Sequence, residues 1–120
     1  GCPRMKDDHV YLRHILECLE AIQSYTVGGR EIFFADRKTQ KATLRELQEL
    51  AESTQNLSAD LKDRHPEIPW RDIAGFRNVL VHDYLGLNLS RIWQIIERDL
   101  TGLKKEVEKV LQEFENKKKI

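Results

Sequence analysis

Apolar residues return every three or four positions along nearly the whole of this 120-residue chain, and no window alternates with the two-residue period of a strand. Such a pattern calls for helices that each bury one face. The first stripe starts at Asp7 or Asp8 and runs through Val10, Leu12, Ile15, Leu16, Leu19 and Ile22 to Tyr25, with acidic residues at its head suited to the helix dipole. Gly28-Gly29 breaks it, and Ile32-Phe33-Phe34 falls in a connector able to form one helical turn or to plug the core. Asp36 is placed to cap a second long helix, marked by Thr43, Leu44, Leu47, Leu50, Ala51, Thr54, Leu57 and Leu61, which ends before His65-Pro66. Pro69 opens a third helix with Ile73, Phe76, Leu80 and Val81 on its buried side and its end near Tyr84 to Gly86. After Asn88 the stripe resumes through Leu89, Ile92, Trp93, Ile96, Leu100, Leu103, Val107, Val110, Leu111 and Phe114, with a kink expected at Thr101-Gly102. The expected architecture is all-α, an antiparallel bundle of four to five helices.

A chain of this length supports one hydrophobic core, so residues 5–116 are expected to form a single domain. Residues 1–4 precede the first methionine, Met5, and are expected to be a remnant of expression, which leaves Cys2 without a role. Residues 117–120 read as a frayed basic tail.

The 20 Lys and Arg balance the 20 Asp and Glu, so no long-range field draws in nucleic acid or anionic membrane, and any RNA binding must come from a local basic patch. Lys38, Lys41, Arg64 and Arg71 could extend such a patch, although solvated surface charge is the plainer account of them. Cys2 and Cys18 lack the paired spacing of a zinc site and make no disulfide framework, which suits a reducing, cytoplasmic setting. No run approaches the roughly 20 apolar residues that span a bilayer.

Cys18 sits within the first apolar stripe and is expected to be core; no serine lies in a Gly-x-Ser-x-Gly elbow. Among the four histidines, only His9 and His14 come close in sequence, and they face different sides of an ideal helix, so no metal is expected. Arg77-Asn78-Val79-Leu80-Val81-His82-Asp83-Tyr84 is the stretch that stands out, because it sets four kinds of polar group among apolar residues that need burial. Arg77 and Tyr84 fall on nearly one line of a helix, as do Asn78 and His82, while Arg77 and His82 lie about 140° apart. The last two could meet only if the helix end unwinds or if a second copy supplies the other half, which favours a symmetric homodimer. A plainer account stays open: a histidine near a helix C-terminus can act as a cap, and Arg-Asn can close a buried hydrogen-bond network.

With Arg77-Asn78, His82 and Tyr84 in the pattern Arg-x4-His-x-Tyr, the chain resembles the HepT-type ribonuclease toxins of the HEPN superfamily. The likeness runs from Met5 to about Leu103. Its context is Glu52, Pro66-Glu67-Ile68-Pro69-Trp70, Ala74-Gly75-Phe76, Trp93 and Asp99-Leu100. Ala51-Glu52-Ser53 departs from the family's usual Gly-Glu-Ala, and Thr101 stands where a proline is common. The resemblance implies a HEPN-like helical homodimer that cleaves RNA at its interface without metal or cofactor, with Arg77 and His82 catalytic and Asn78 supporting them. It also implies a toxin-antitoxin pair in which an MntA-type nucleotidyltransferase antitoxin attaches AMP to Tyr84. Two other readings remain: a non-enzymatic HEPN binding module that partners a nucleotidyltransferase, and a purely structural helical dimer.

Overall fold

Two antiparallel helix contacts fix the frame of the molecule. The computed structural model describes the backbone over residues 3–85 and 88–118, and side chains over residues 7–77 and 88–116. The elements are α1 (Pro3–Tyr25), α2 (Arg30–Ala35), α3 (Arg37–Gln55), α4 (Ala59–Arg64), α5 (Trp70–Leu85), α6 (Leu89–Gln94), a π-helical turn (Ile95–Asp99) and α7 (Leu100–Lys118). No strand occurs among the described residues, and no helix there is long and apolar enough to cross a membrane. Asp8 meets Ser58 and His14 meets Ser53, so α3 and the turn after it descend as α1 rises. Arg13 meets Glu115 and Lys104 meets Gln23, so α7 runs against α1 in the same sense. On the other side of α3 lies α5.

Most of the expected apolar stripes fill the core, with Leu12, Ile15, Leu19 and Ile22 of α1, Leu44, Leu47 and Leu50 of α3, Ile73 and Phe76 of α5, and Leu103, Val107 and Val110 of α7, whereas Val10 and Tyr25 at the ends of the first stripe are exposed. Phe33 is 0 % exposed, so the connector after Gly28-Gly29 both forms a helix and plugs the core. Its ring lies 5.3 Å from that of Trp93. Gly29 adopts φ 91°, a left-handed value that only glycine takes without strain, and so turns the chain out of α1.

Asp36 does more than start α3. Its N–H closes α2 on the Ile32 carbonyl, while its carboxylate accepts from the Lys38 N–H at 3.1 Å and the Thr39 hydroxyl at 2.6 Å. Those bonds hold its carboxyl below the usual 3.8, the Thr39 hydrogen bond being the largest cause.

Two expectations about helix continuity are corrected. The sequence calls for one helix from Asp36 to just before His65, but α3 stops at Gln55 and α4 begins at Ala59. Ser58 makes the break: its hydroxyl accepts from the Leu61 N–H at 3.1 Å and donates to Asp8 at 2.6 Å, and its own N–H donates to Asp8 at 2.8 Å. Asp8 is only 2 % exposed, and a buried carboxylate needs such partners. The second correction concerns the kink expected at Thr101-Gly102. The irregularity falls earlier, at Ile95–Asp99, where the Leu100 N–H reaches the Ile95 carbonyl. Ile92, Ile96 and Leu100 are all buried at successive steps of four, which drift by about 40° each on a regular helix. A wider turn keeps them on one face.

Removing the Asp8 carboxylate by Asp8→Ala leaves the Ser58 N–H without its acceptor and is expected to cost about 1–3 kcal/mol in urea unfolding at neutral pH. Because folding lowers the Asp36 pKa, its contribution is present above 3.8 and lost as pH falls through the folded value. The difference in thermal midpoint between wild type and Asp36→Ala should be widest at neutral pH and shrink below 3.8.

Candidate active site

The helix that carries Arg77 is positioned from its N-terminus. Pro69 ends the preceding turn, and the Ile73 N–H makes the first helical bond to the Pro69 carbonyl. The Trp70 indole N–H reaches back to the carbonyls of Lys62 at 3.2 Å and His65 at 2.9 Å, satisfying the open end of α4. From that anchor α5 buries Ile73 and Phe76 against the bundle and leaves Arg77 exposed. The guanidinium Nη1 donates to Gln55 Oε1 on the last residue of α3 at 2.8 Å.

The helix continues without a break from Trp70 to Leu85, so the unwinding that could have joined Arg77 to His82 within one chain is absent. Asn78, His82 and Tyr84 ride on this helix, and their side chains lie outside the described residues.

Every other histidine has an occupation elsewhere. His9 lies tilted against Phe114 with ring centroids 5.9 Å apart. His14 Nδ1 is 2.6 Å from Ser53 Oγ. His65 sits 3.2 Å from Glu67 and 3.5 Å from Glu113, between the end of α4 and α7. Cys18 is no nucleophile: burial first, then the neighbouring Glu46 and Glu49, push its thiol from 9.0 up to about 12, far from the thiolate that such chemistry needs.

A groove of about 500 Å³ opens beside Phe76, one residue from Arg77. Arg71 and Asp72 of α5 face Arg91, Arg98 and Asp99 across it, and α6 with the π-helical turn forms that second wall. Among the described residues that line it, three guanidinium groups stand beside two carboxylates. Arg91 and Arg98 were not singled out from the sequence. Their seven-residue spacing, which puts them on one helical face, is the signal that could have found them. Of the residues considered for an RNA path, Arg71 lines the groove, whereas Arg64 pairs with Asp60 at 3.5 Å.

Residues 15–110 match the family described as "Ribonuclease HepT-like". The chain belongs to this HepT-like family. The match takes in α5, the groove and Arg77 to Tyr84. Among curated relatives, a "Probable ribonuclease HepT" of Thermococcus cleftensis is 40% identical over 111 residues, covering 88% of this chain and 98% of its own length. A "Putative RNase" of Caldanaerobacter subterraneus subsp. tengcongensis is 36% identical over 109 residues, covering 90% of this chain and 97% of its own. A third relative, a "Gamma-glutamylcyclotransferase and putative RNase" of Methanocaldococcus jannaschii, is 33% identical over 114 residues, covering 94% of this chain. This HepT-like chain spans 51% of that protein, about half its length. No solved structure matches the chain.

Because Arg77 is exposed and its partner is neutral, Arg77→Ala is expected to change unfolding free energy by less than about 0.5 kcal/mol in urea titration. A larger loss would place Arg77 among the residues that hold the HepT-like bundle together.

Proposed function

We propose that this HepT-like protein is a metal-independent endoribonuclease that works as a symmetric homodimer with its cleft at the interface. The observation that carries the reading is an exposed guanidinium at Arg77 on an unbroken helix that bears His82 five residues further on. Membership of a family described as ribonuclease HepT-like, and relatives named as ribonucleases, support it.

The substrate is RNA, and its own 2′-hydroxyl is the nucleophile. His82 takes that proton as the 2′-oxygen bonds to the adjacent phosphorus, and the bond from phosphorus to the 5′-oxygen breaks. The same His82, now protonated, gives that proton to the leaving 5′-oxygen, and a 2′,3′-cyclic phosphate remains. An imidazole with its ordinary pKa near 6.5 serves either role near neutrality and is worth about 10²- to 10⁴-fold. Arg77 grips the phosphoryl oxygens through two parallel hydrogen bonds and steadies their growing charge. Asn78, one turn before His82, orients the ring or holds the substrate. Arg71 and Arg98 give the RNA backbone a basic approach on the flank of α5 turned away from Arg77. The unbroken course of α5 favours the two-copy cleft, since one chain alone keeps Arg77 and His82 about 140° apart.

The same reading makes the protein the toxin of a type VII-like toxin-antitoxin pair. A nucleotidyltransferase antitoxin of the MntA type would silence it by transferring AMP from ATP to the Tyr84 hydroxyl, with pyrophosphate and the phenolic proton released. Tyr84 lies on Arg77's line of the helix, so the added phosphate would occupy the cleft and compete for the guanidinium.

Purified protein, with Tyr84 shown free of AMP by mass spectrometry, should cut total RNA in EDTA and leave cyclic phosphate ends. His82→Ala and Arg77→Ala should each abolish cleavage while circular dichroism shows a folded protein. Mixing the two inactive variants should restore part of the activity, because a mixed dimer keeps one Arg77 and one His82 in the shared cleft. Folded wild type that leaves RNA intact would overturn the ribonuclease reading in favour of a binding module. Cleavage without rescue in the mixture would overturn the shared cleft.

A further inference from the structure

His14 and Cys18 stand four residues apart on one face of α1, and Glu49 meets them from α3. One donor atom from each lies within 4.8 Å of the other two. His14 Nε2 is 3.9 Å from Cys18 Sγ. A nitrogen and a sulfur sharing a tetrahedral zinc ion, with bonds near 2.0–2.1 and 2.3 Å, sit about 3.6 Å apart. Closing that difference takes a few tenths of an ångström.

The imidazole is already oriented for such a role. Its Nδ1 lies 2.6 Å from Ser53 Oγ, one turn beyond Glu49 on α3. With Nδ1–H donating to that hydroxyl, the Nε2 lone pair faces Cys18 and Glu49. A metal-bound histidine is ordinarily held through its second nitrogen in this manner. Glu46, also on α3, lies beside Cys18 and adds a second carboxylate. Cys18 is buried, whereas His14 and Glu49 are half-buried, which leaves a way in for an ion.

We propose that His14, Cys18 and Glu49 form a binding site for a divalent transition metal of zinc type, which takes the Cys18 sulfur as thiolate, releases its proton to water and ties α1 to α3. The donor set of one nitrogen, one sulfur and one carboxylate oxygen selects this class over calcium or magnesium, which take oxygen ligands. Water or Glu46 completes the fourth position. The site is separate from the RNA cleft and does not rest on the ribonuclease reading. Ser53 and Gln55, the partner of Arg77, lie about 200° apart around α3, so one helix serves the two sites from opposite sides.

The test titrates EDTA-stripped, desalted protein with cobalt(II) under reducing conditions, in a Cys2→Ser background so that Cys18 is the sole thiol. One equivalent should bind with a sulfur-to-cobalt charge-transfer band and the strong visible bands of a tetrahedral ion, both lost when zinc displaces it. Zinc should raise the thermal midpoint of the stripped protein. Cys18→Ala should remove the charge-transfer band. Ser53→Ala, which touches no ion, should weaken binding roughly 10- to 100-fold. Glu49→Gln, at a half-buried position that leaves the fold intact, should weaken cobalt binding at least as much. Absence of the charge-transfer band in folded protein overturns the proposal. So does equal affinity in Glu49→Gln, since the third ligand would then be elsewhere.

Discussion

The antiparallel seam between α1 and α3 is the contact on which the rest of the molecule depends. Leu12, Ile15, Leu19 and Ile22 close against Leu44, Leu47 and Leu50, and nearly all are withdrawn from water. Burial of that kind contributes about 1.5–3 kcal/mol per large aliphatic side chain but has no direction. Register comes from the polar pairs set into the seam: Asp8 on Ser58 at one end and His14 on Ser53 further along. A slip of either helix by one residue would strand the Asp8 carboxylate in an apolar setting, which costs more than any hydrophobic contact regained.

Once α3 is fixed, its opposite side receives α5, and this decides where the chemistry can sit. Ile73 and Phe76 seat α5 in the bundle, so the next residue, Arg77, emerges at the surface beside Gln55. The flank of α5 that carries Arg71, Asp72 and Gly75 borders the basic groove against the π-helical turn. Net charge averages the whole chain and is blind to this: Arg71, Arg91 and Arg98 come from separate elements and gather only when α5 and α6 meet. An RNA-binding surface is thus compatible with a formal charge of zero.

α3 consequently has two working sides. One carries Glu49 and Ser53 toward α1, the other carries Gln55 toward α5. An ion held between α1 and α3 would stiffen the helix on which Arg77 leans without entering the chemistry at the cleft. Stability and function would then be coupled through α3, while their chemical requirements remain distinct.

The sequence by itself determined the helical class, most of the apolar stripes, the stop at Gly28-Gly29 and the cap at Asp36, because each depends on residues within one or two turns of each other. It also carried the family likeness, which the match over residues 15–110 bears out. The break at Ser58 was illegible because its decisive partner, Asp8, lies 50 residues away. The π-helical turn was misplaced because burial demanded by neighbouring helices, not glycine at 102, set its position. Histidine pairs and cysteine pairs alone did not reveal the metal ligands, since Glu49 joins His14 and Cys18, one turn apart on α1, only when α3 packs against α1. Local patterns are written in local sequence, whereas polar groups that settle register and build sites are brought together by packing, and only the tertiary structure decides which of them meet.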